Sequence, residues 1–386
     1  MIYLDYSATT SVDPRVIDVM TPFFSDSFGN PSSVHRYGQI AEAAVDSARE
    51  TVASVLNCKP EEILFTSCGS ESDNLAIRGA AYAMREKTGA KWILASRAEH
   101  PAVTKTLLHL EKYDGFLIEW LDVDEQGMVT PEIVSRAICE DTALVSVMYA
   151  NNEIGTINPI REIAEVCRAN QILFHTDAVQ AAAYLPVDVQ VLGVDMMSLG
   201  AHKFYGPKGV GALYVRKGTP LVSHLTGGGQ EINLRAGTQN VPYIVGLAEA
   251  LRLTNEEREQ RVTHVKPLRD RIIGTVLEAI PDSRLTGHIE ARLPHHASFA
   301  FKGVDGNLLL TLLDAAGFAC SSGSACKTGN PEPSEVMNAI GLSRDWSLGS
   351  LRVTLGKDTS PEHVESFLFT LQTLVLKARS LRAGVR

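Results

Sequence analysis

Short apolar runs alternate with helix-period patterns through the first 250 residues of the chain. Ile63-Leu64-Phe65-Thr66 reads as a strand and Ser72 to Lys87 as a helix. Trp92-Ile93-Leu94-Ala95 is the next strand, followed by a helix from about Ala102. Ala143 to Met148, Ile172 to His175, Asp195 to Leu199 and Val210 to Val215 continue the strand series, with a helix from about Ile160 between the first two. Strands this short, separated by helical patterns, predict a mostly parallel sheet with helices on both faces. The charge run Asn255-Glu256-Glu257-Arg258-Glu259-Gln260-Arg261 starts a long helical pattern reaching Ala279. It reads as the solvated face of a helix leaving the large domain. The pattern then restarts: Ala297 to Phe301 is strand-like, Leu308 to Ala315 helix-like, Leu351 to Leu355 strand-like, and Pro361 to Arg382 an amphipathic helix with proline near its start. The expected organisation is α/β throughout. A segment over 1–15 packs with either domain, a large domain covers 16–254, and a smaller C-terminal domain covers 255–386.

Composition narrows the class. Of 386 residues, 45% are hydrophobic and 21% charged, which excludes a mostly disordered chain. No apolar run approaches the ~18 residues of a membrane span. The start, Met1-Ile2-Tyr3-Leu4-Asp5, shows neither a basic nor an apolar leader region, so no secretory signal is expected. A formal net charge of −9 argues against a generic nucleic-acid binder. The six cysteines, Cys58, Cys68, Cys139, Cys167, Cys320 and Cys326, include no CxxC pair. They are no disulfide scaffold, and a reducing, cytoplasmic setting with free thiols is expected.

Candidate chemistry gathers just after the predicted strands. Gly69-Ser70-Glu71 follows the first, Glu99-His100 the second and Asn151-Asn152-Glu153 the third. Asp177 and Gln180 follow the fourth, and His202-Lys203 the fifth. Ligands of open α/β sheets sit beyond the carboxyl ends of the strands, so these clusters suggest one site built from many loops. Ser67-Cys68-Gly69-Ser70-Glu71-Ser72 joins a strand to a helix. Its small residues would let backbone N–H groups approach an anion, although Ser70 or Ser72 could equally be an ordinary N-cap. The phosphate-loop spacing GxxxxGK[ST] is absent. Lys203 lies between an apolar strand and the Gly206-Pro207-Lys208-Gly209 turn. It is either a solvated surface amine or, partly desolvated, the amine of a Schiff base. Cys326 ends the small-residue run Cys320-Ser321-Ser322-Gly323-Ser324-Ala325-Cys326 and precedes Lys327. An accessible thiol beside a cation favours thiolate, whereas an inert packed cysteine is the plain alternative. The spacing of Cys320 and Cys326 matches no common zinc motif, so no resident metal site is expected.

Ala201-His202-Lys203 with Gly206-Pro207-Lys208-Gly209, and Ser321-Ser322-Gly323-Ser324-Ala325-Cys326, resemble the cysteine desulfurases. These are fold-type I pyridoxal-phosphate enzymes of the class V aminotransferase superfamily. Tyr3-Leu4-Asp5-Tyr6-Ser7-Ala8-Thr9-Thr10, Asn30-Pro31-Ser32-Ser33 with His35, Glu71-Ser72-Asp73-Asn74, Asn151-Asn152-Glu153-Ile154-Gly155 and Arg235-Ala236-Gly237-Thr238 extend the likeness from residue ~3 to ~356. The long stretch after Cys326, with Glu332-Pro333-Ser334, resembles the NifS/IscS branch.

The resemblance implies roles. Lys203 would hold pyridoxal 5′-phosphate as a Schiff base and act as acid and base at the substrate Cα. Asp177 would pair with the pyridinium nitrogen, Gln180 would hydrogen-bond the phenolic oxygen, and His100 would stack on the ring. Gly69, Ser70 and His202 would hold the phosphate, with Thr238 reaching in from the other subunit of a homodimer. Asn152 would lie near the phenolic oxygen and the substrate carboxylate, which Arg352 would clamp. Gly200 stands where many relatives carry Ser or Thr on the phosphate, which implies a weaker hold on the cofactor. The implied reaction takes sulfur from L-cysteine onto Cys326 as a persulfide, releases L-alanine, and passes sulfur to acceptor proteins of iron–sulfur assembly or tRNA thiolation. Transient iron or iron–sulfur ligation by Cys326 with a partner is compatible with this. The alternatives are a selenocysteine lyase or another class V lyase or aminotransferase, and a non-catalytic iron–sulfur assembly scaffold.

Overall fold

The computed structural model describes residues 1–322 and 333–383. Its strands are β1 (Ile2–Tyr3), β2 (Ile63–Thr66), β3 (Trp92–Ser96), β4 (Leu117–Leu121), β5 (Thr142–Ser146), β6 (Leu173–Asp177), β7 (Met196–Gly200), β8 (Gly211–Val215), β9 (Ser283–Leu285), β10 (His296–Phe301), β11 (Phe318–Ala319) and β12 (Ser350–Thr354). A seven-stranded sheet has the order β2-β8-β7-β6-β5-β3-β4. The pairs from β4 through β7 are parallel, and β8 runs antiparallel to both of its neighbours. The carboxyl ends of β2 to β7 therefore meet along one edge.

Period-2 alternation explains why both faces of this sheet are buried. Leu64, Ile93, Leu144, Met196 and Leu213 enter one apolar cluster, with Leu75 and Ile77 of the Gly69–Thr88 helix and Leu107 of the Pro101–Asp114 helix. Phe65, Leu94, Val145, Phe174, Met197 and Tyr214 enter the other. That second cluster continues through Leu247 and Leu251 into Phe299, Phe301, Leu351 and Val353 of the C-terminal part. A three-stranded antiparallel sheet, β12-β10-β9, lies there.

The N-terminal segment bridges these regions. β1 pairs in parallel with β11, and Asp5 forms a bridge with Thr354. Thr10 N–H and Oγ1 both donate to the carbonyl of His202, at 2.9 and 3.0 Å. Asp13 binds Lys357 Nζ at 2.6 Å. Residues 5–10 thus form a strap laid between the large sheet and β12. Among the described residues, no helix is long and apolar enough to cross a membrane.

Candidate active site

A cavity of ≈ 330 Å³ opens at the shared edge of β2 to β7. The strand-end clusters supply most of its wall: Gly69, Ser70, His100, Asn152, Asp177, Gln180, His202 and Lys203. Arg352 enters from β12, and Ser7 and Ala8 enter from the strap.

The anionic end is the N-terminus of the Gly69–Thr88 helix. No side chain caps it at Cys68, so the N–H groups of its first turn face the cavity side with the positive end of a 20-residue helix dipole. Ser70 is exposed beside it. A Cβ on Gly69 would come within 2.7 Å of Val179 Cγ2, so glycine is required for the close approach of this turn to the strand-end loop. His202 Nδ1 lies 3.2 Å from Thr9 Oγ1, and burial pushes its pKa down to about 4. It is a neutral ring near neutral pH. Gly200 is one layer back: a Cβ there would sit 3.5 Å from Gly69 N.

The amine and the carboxylate lie further in. Lys203 Nζ donates to the carbonyls of Ser7 at 2.5 Å and Ala8 at 2.8 Å. Burial, then the charge of Arg352, lower its pKa to about 8, while Asp177 and Asp5 oppose that shift. Such an amine is far closer to its free, nucleophilic form than a surface lysine. Asp177 ends β6, is 4% exposed, and accepts the Val179 N–H at 2.8 Å. Burial raises its pKa; His100, the Val179 N–H and Lys203 pull it back down. His100 caps its helix by accepting the Ala102 N–H on Nδ1 at 3.1 Å, so the neutral ring carries its proton on Nε2. Desolvation keeps this ring below the ordinary histidine pKa. Gln180 Nε2 donates to the same Ser7 carbonyl as Lys203, at 2.8 Å.

Arg352 is 7% exposed. Its Nη2 meets Asp5 Oδ1 at 2.8 Å and its Nη1 donates to the Asn152 carbonyl at 3.0 Å. Its buried Nε has no partner, leaving donor capacity for an incoming carboxylate. Asp5 Oδ2 accepts from Ser321 Oγ at 2.7 Å, and Ser321 bridges Arg352 through its backbone. Ser334 Oγ donates to Glu153, next to Asn152. Cys326 lies outside the described residues; Ser321 and Ser334, on either side of it in sequence, are both held at this rim. Thr238 is exposed and does not line the cavity of its own chain.

The structure also brings in groups to which the sequence reading gives no role. Asp5, Ser7 and Ala8 arrive through the strap, and their one visible signal is the Tyr3–Thr10 motif. Asp73, in the Glu71–Asn74 motif, is 1% exposed and lines the floor. Together these groups suit pyridoxal phosphate. The uncapped helix end could take the phosphate, Asp177 the ring nitrogen, the desolvated amine the aldehyde, and the unsatisfied guanidinium N–H an amino-acid carboxylate.

Comparison with known proteins agrees. The family model Aminotransferase class-V matches residues 2–367. Cysteine desulfurase IscS of Dictyoglomus turgidum is 44% identical over 380 residues, covering 98% of this chain and 96% of that one. A solved NifS-like protein superposes with a TM-score of 0.90 at 36% identity, over 97% of this chain and 99% of its own. A structure of SspA in complex with cysteine superposes with a TM-score of 0.80 at 35% identity, over 92% and 99%. With a pocket whose groups suit a phosphorylated aldehyde and an amino acid, likeness along nearly the whole length leads to one assignment: the chain belongs to the class V aminotransferase family, among its IscS-type cysteine desulfurases.

Proposed function

We propose that the protein is a pyridoxal-phosphate-dependent cysteine desulfurase that converts L-cysteine to L-alanine and carries the sulfur on Cys326. The observation that carries this reading is the convergence on one cavity of Lys203 (just past β7), Asp177 (at the end of β6) and Arg352 (on β12). Lys203 would hold the aldehyde, Asp177 the ring nitrogen, and Gln180 and Asn152 the phenolic side. Gly69, Ser70 and His202 would hold the phosphate. When bound, the cofactor supplies an electron sink for the pair released at the substrate Cα.

The chain's own groups do the rest. Arg352, braced by Asp5 and the Asn152 carbonyl, grips the substrate carboxylate and fixes which Cα bond faces Lys203. The Lys203 amine takes and returns the Cα proton, with His100 Nε2 as a second proton carrier. The Cys326 thiolate attacks the substrate sulfur. The Cβ–S bond breaks with its pair left on Cβ, Cβ takes a proton, and an S–S bond forms on Cys326. Cys326 is four residues on from Ser322, the last described residue before it. An extended segment of that length reaches at most about 14 Å, which spans a cavity of this size. Sulfur then passes to an acceptor protein, for which iron–sulfur scaffolds and tRNA-thiolation proteins are both suitable. The exposed Thr238 supports a homodimer in which each subunit completes its partner's phosphate site.

The test is direct. Purified protein should be yellow with added cofactor and should release alanine from L-cysteine. Cys326→Ala should keep the colour and lose alanine release; an active Cys326→Ala protein would exclude the persulfide route. Assay with L-selenocysteine distinguishes a selenocysteine lyase.

A further inference from the structure

Beneath Asp177 lies a second acid that the proposed reaction does not use. Asp73 lies in the first turns of the Gly69–Thr88 helix, and its Oδ1 is buried without a hydrogen-bond partner. Its carboxylate, the Asp177 carboxylate and a ring nitrogen of His100 all lie within 4.8 Å of one another. The nearest group that could supply positive charge is His175, with Nε2 3.7 Å from Asp73 Oδ1. That ring is fully buried between two hydroxyls, Ser146 Oγ at 2.9 Å from Nδ1 and Ser198 Oγ at 3.0 Å from Nε2. Burial pushes its pKa down to about 3, so it offers no charge. From the other side Glu99 approaches, buried, with Oε1 on the Met148 N–H at 2.8 Å and Oε2 unpartnered. The Cys68 thiol also faces Asp73. Lys203 and His100 favour charge on Asp177; His100 is also near Asp73, and desolvation holds its ring below the ordinary histidine pKa.

Two buried carboxylates this close repel, so one of them takes a proton. The partners decide which. Asp177 has a backbone N–H, an amine and an imidazole favouring its charge, whereas Asp73 has only the Ser198 hydroxyl.

We propose that Asp73 is a positioning residue, held as a neutral carboxylic acid that confines the negative charge of the pocket floor to Asp177 and tunes its basicity toward the cofactor's ring nitrogen. The neutral state stands on the packing of the two acids and their partners and needs no cofactor; the tuning rests on the proposed function.

Aspartate-specific ¹³C-carboxyl labelling and infrared spectroscopy of the full-length chain at pH 7 test the neutral state. A protonated aspartate band is expected in the wild type and lost in Asp73→Asn. Its absence from the wild type, or its survival in Asp73→Asn, would overturn the proposal, and the first outcome needs no variant to fold. Urea unfolding gives a second reading. The folded-state pKa lies above the unfolded one, so the native protein keeps a proton that the unfolded chain releases. Wild-type stability then falls with rising pH relative to Asp73→Asn. The ratio of their folding constants should change about tenfold per unit between pH 5 and 7, and a constant ratio refutes the neutral acid. In the cofactor-loaded protein, the pH at which visible absorption titrates should match wild type in Asp73→Asn and move by roughly one unit in Asp73→Ala. An unmoved Asp73→Ala would end the tuning role. A wild type that takes up no cofactor would instead sink the proposed function and leave the infrared result standing.

Discussion

Gly200→Ser should tighten the hold on the cofactor. Gly200 has φ −136° and ψ 114°, extended backbone that any residue adopts, so the substitution adds no backbone strain. A Cβ there meets Val179 Cγ1 at 3.3 Å and Gly69 N at 3.5 Å. The valine methyl must yield by a few tenths of an ångström, at a cost well under the ~1–3 kcal/mol of true overpacking. The new hydroxyl would lie near the first N–H of the helix proposed to take the phosphate, where it could donate to that group. A hydrogen bond to a charged group contributes roughly 1.5–3 kcal/mol. Less about 0.5–1 kcal/mol for crowding, the net gain is about 1–2 kcal/mol, or roughly 5- to 30-fold slower cofactor release. The assay follows loss of visible absorbance from the loaded protein after mixing with an excess of a cofactor-trapping apoenzyme. Gly200→Ala is the control, because it has the Cβ and the stiffer unfolded chain without the oxygen. If Gly200→Ser releases cofactor as fast as Gly200→Ala while melting no lower than wild type, the hydroxyl does not reach the phosphate and the reasoning fails.

Other outcomes follow from the same geometry. Lys203→Ala should lose the covalent cofactor absorbance and, from acid–base catalysis alone, on the order of 10²–10⁴ in rate, read by stopped alanine-release assays. Arg352→Lys should raise KM for L-cysteine about 10- to 100-fold, since a point charge replaces a fork braced by Asp5 at 2.8 Å; an unchanged KM would remove Arg352 from the substrate carboxylate. Asp13 is hydrogen-bonded by Arg15 and then by Lys357, which hold its carboxyl well below the usual range. A depressed pKa adds stability above the unfolded value and loses it as pH falls. Asp13→Asn should therefore cost about 1–2 kcal/mol at pH 7, with the difference shrinking below pH ~4 in urea titrations.

The large sheet is legible because each of its inner strands is a short run of apolar residues followed by a polar cluster. Ile63–Thr66 with Gly69-Ser70, and Met196–Gly200 with His202-Lys203, are the plainest cases. β4 is harder to read. Leu117 and Glu119 are exposed on this edge strand, and the acidic run Asp122-Val123-Asp124-Glu125 that follows it does not line the cavity, so neither burial nor site chemistry marks it. The Arg36–Leu56 helix buries Ala41, Val45, Ala48, Val52 and Leu56, but small and polar residues dilute that stripe in the one-dimensional pattern. In the pocket, residues close to strand ends can be read from position alone. Asp5 and Ser7 cannot, because their partners Arg352 and Lys203 lie 347 and 196 residues away. Asp73 is hidden for a different reason: an acid in the first turns of a helix ordinarily complements the dipole from solvent, and only the fold buries it.

The strap has a consequence for how the protein is made. Its carbonyls fix the lysine amine, while its one carboxylate fixes an arginine encoded 347 residues downstream. A nascent chain on the ribosome can complete the seven-stranded sheet long before that arginine emerges. Until it does, the strap has nothing to dock against on its β12 side. Catalytic competence should thus appear abruptly, once β12 has emerged.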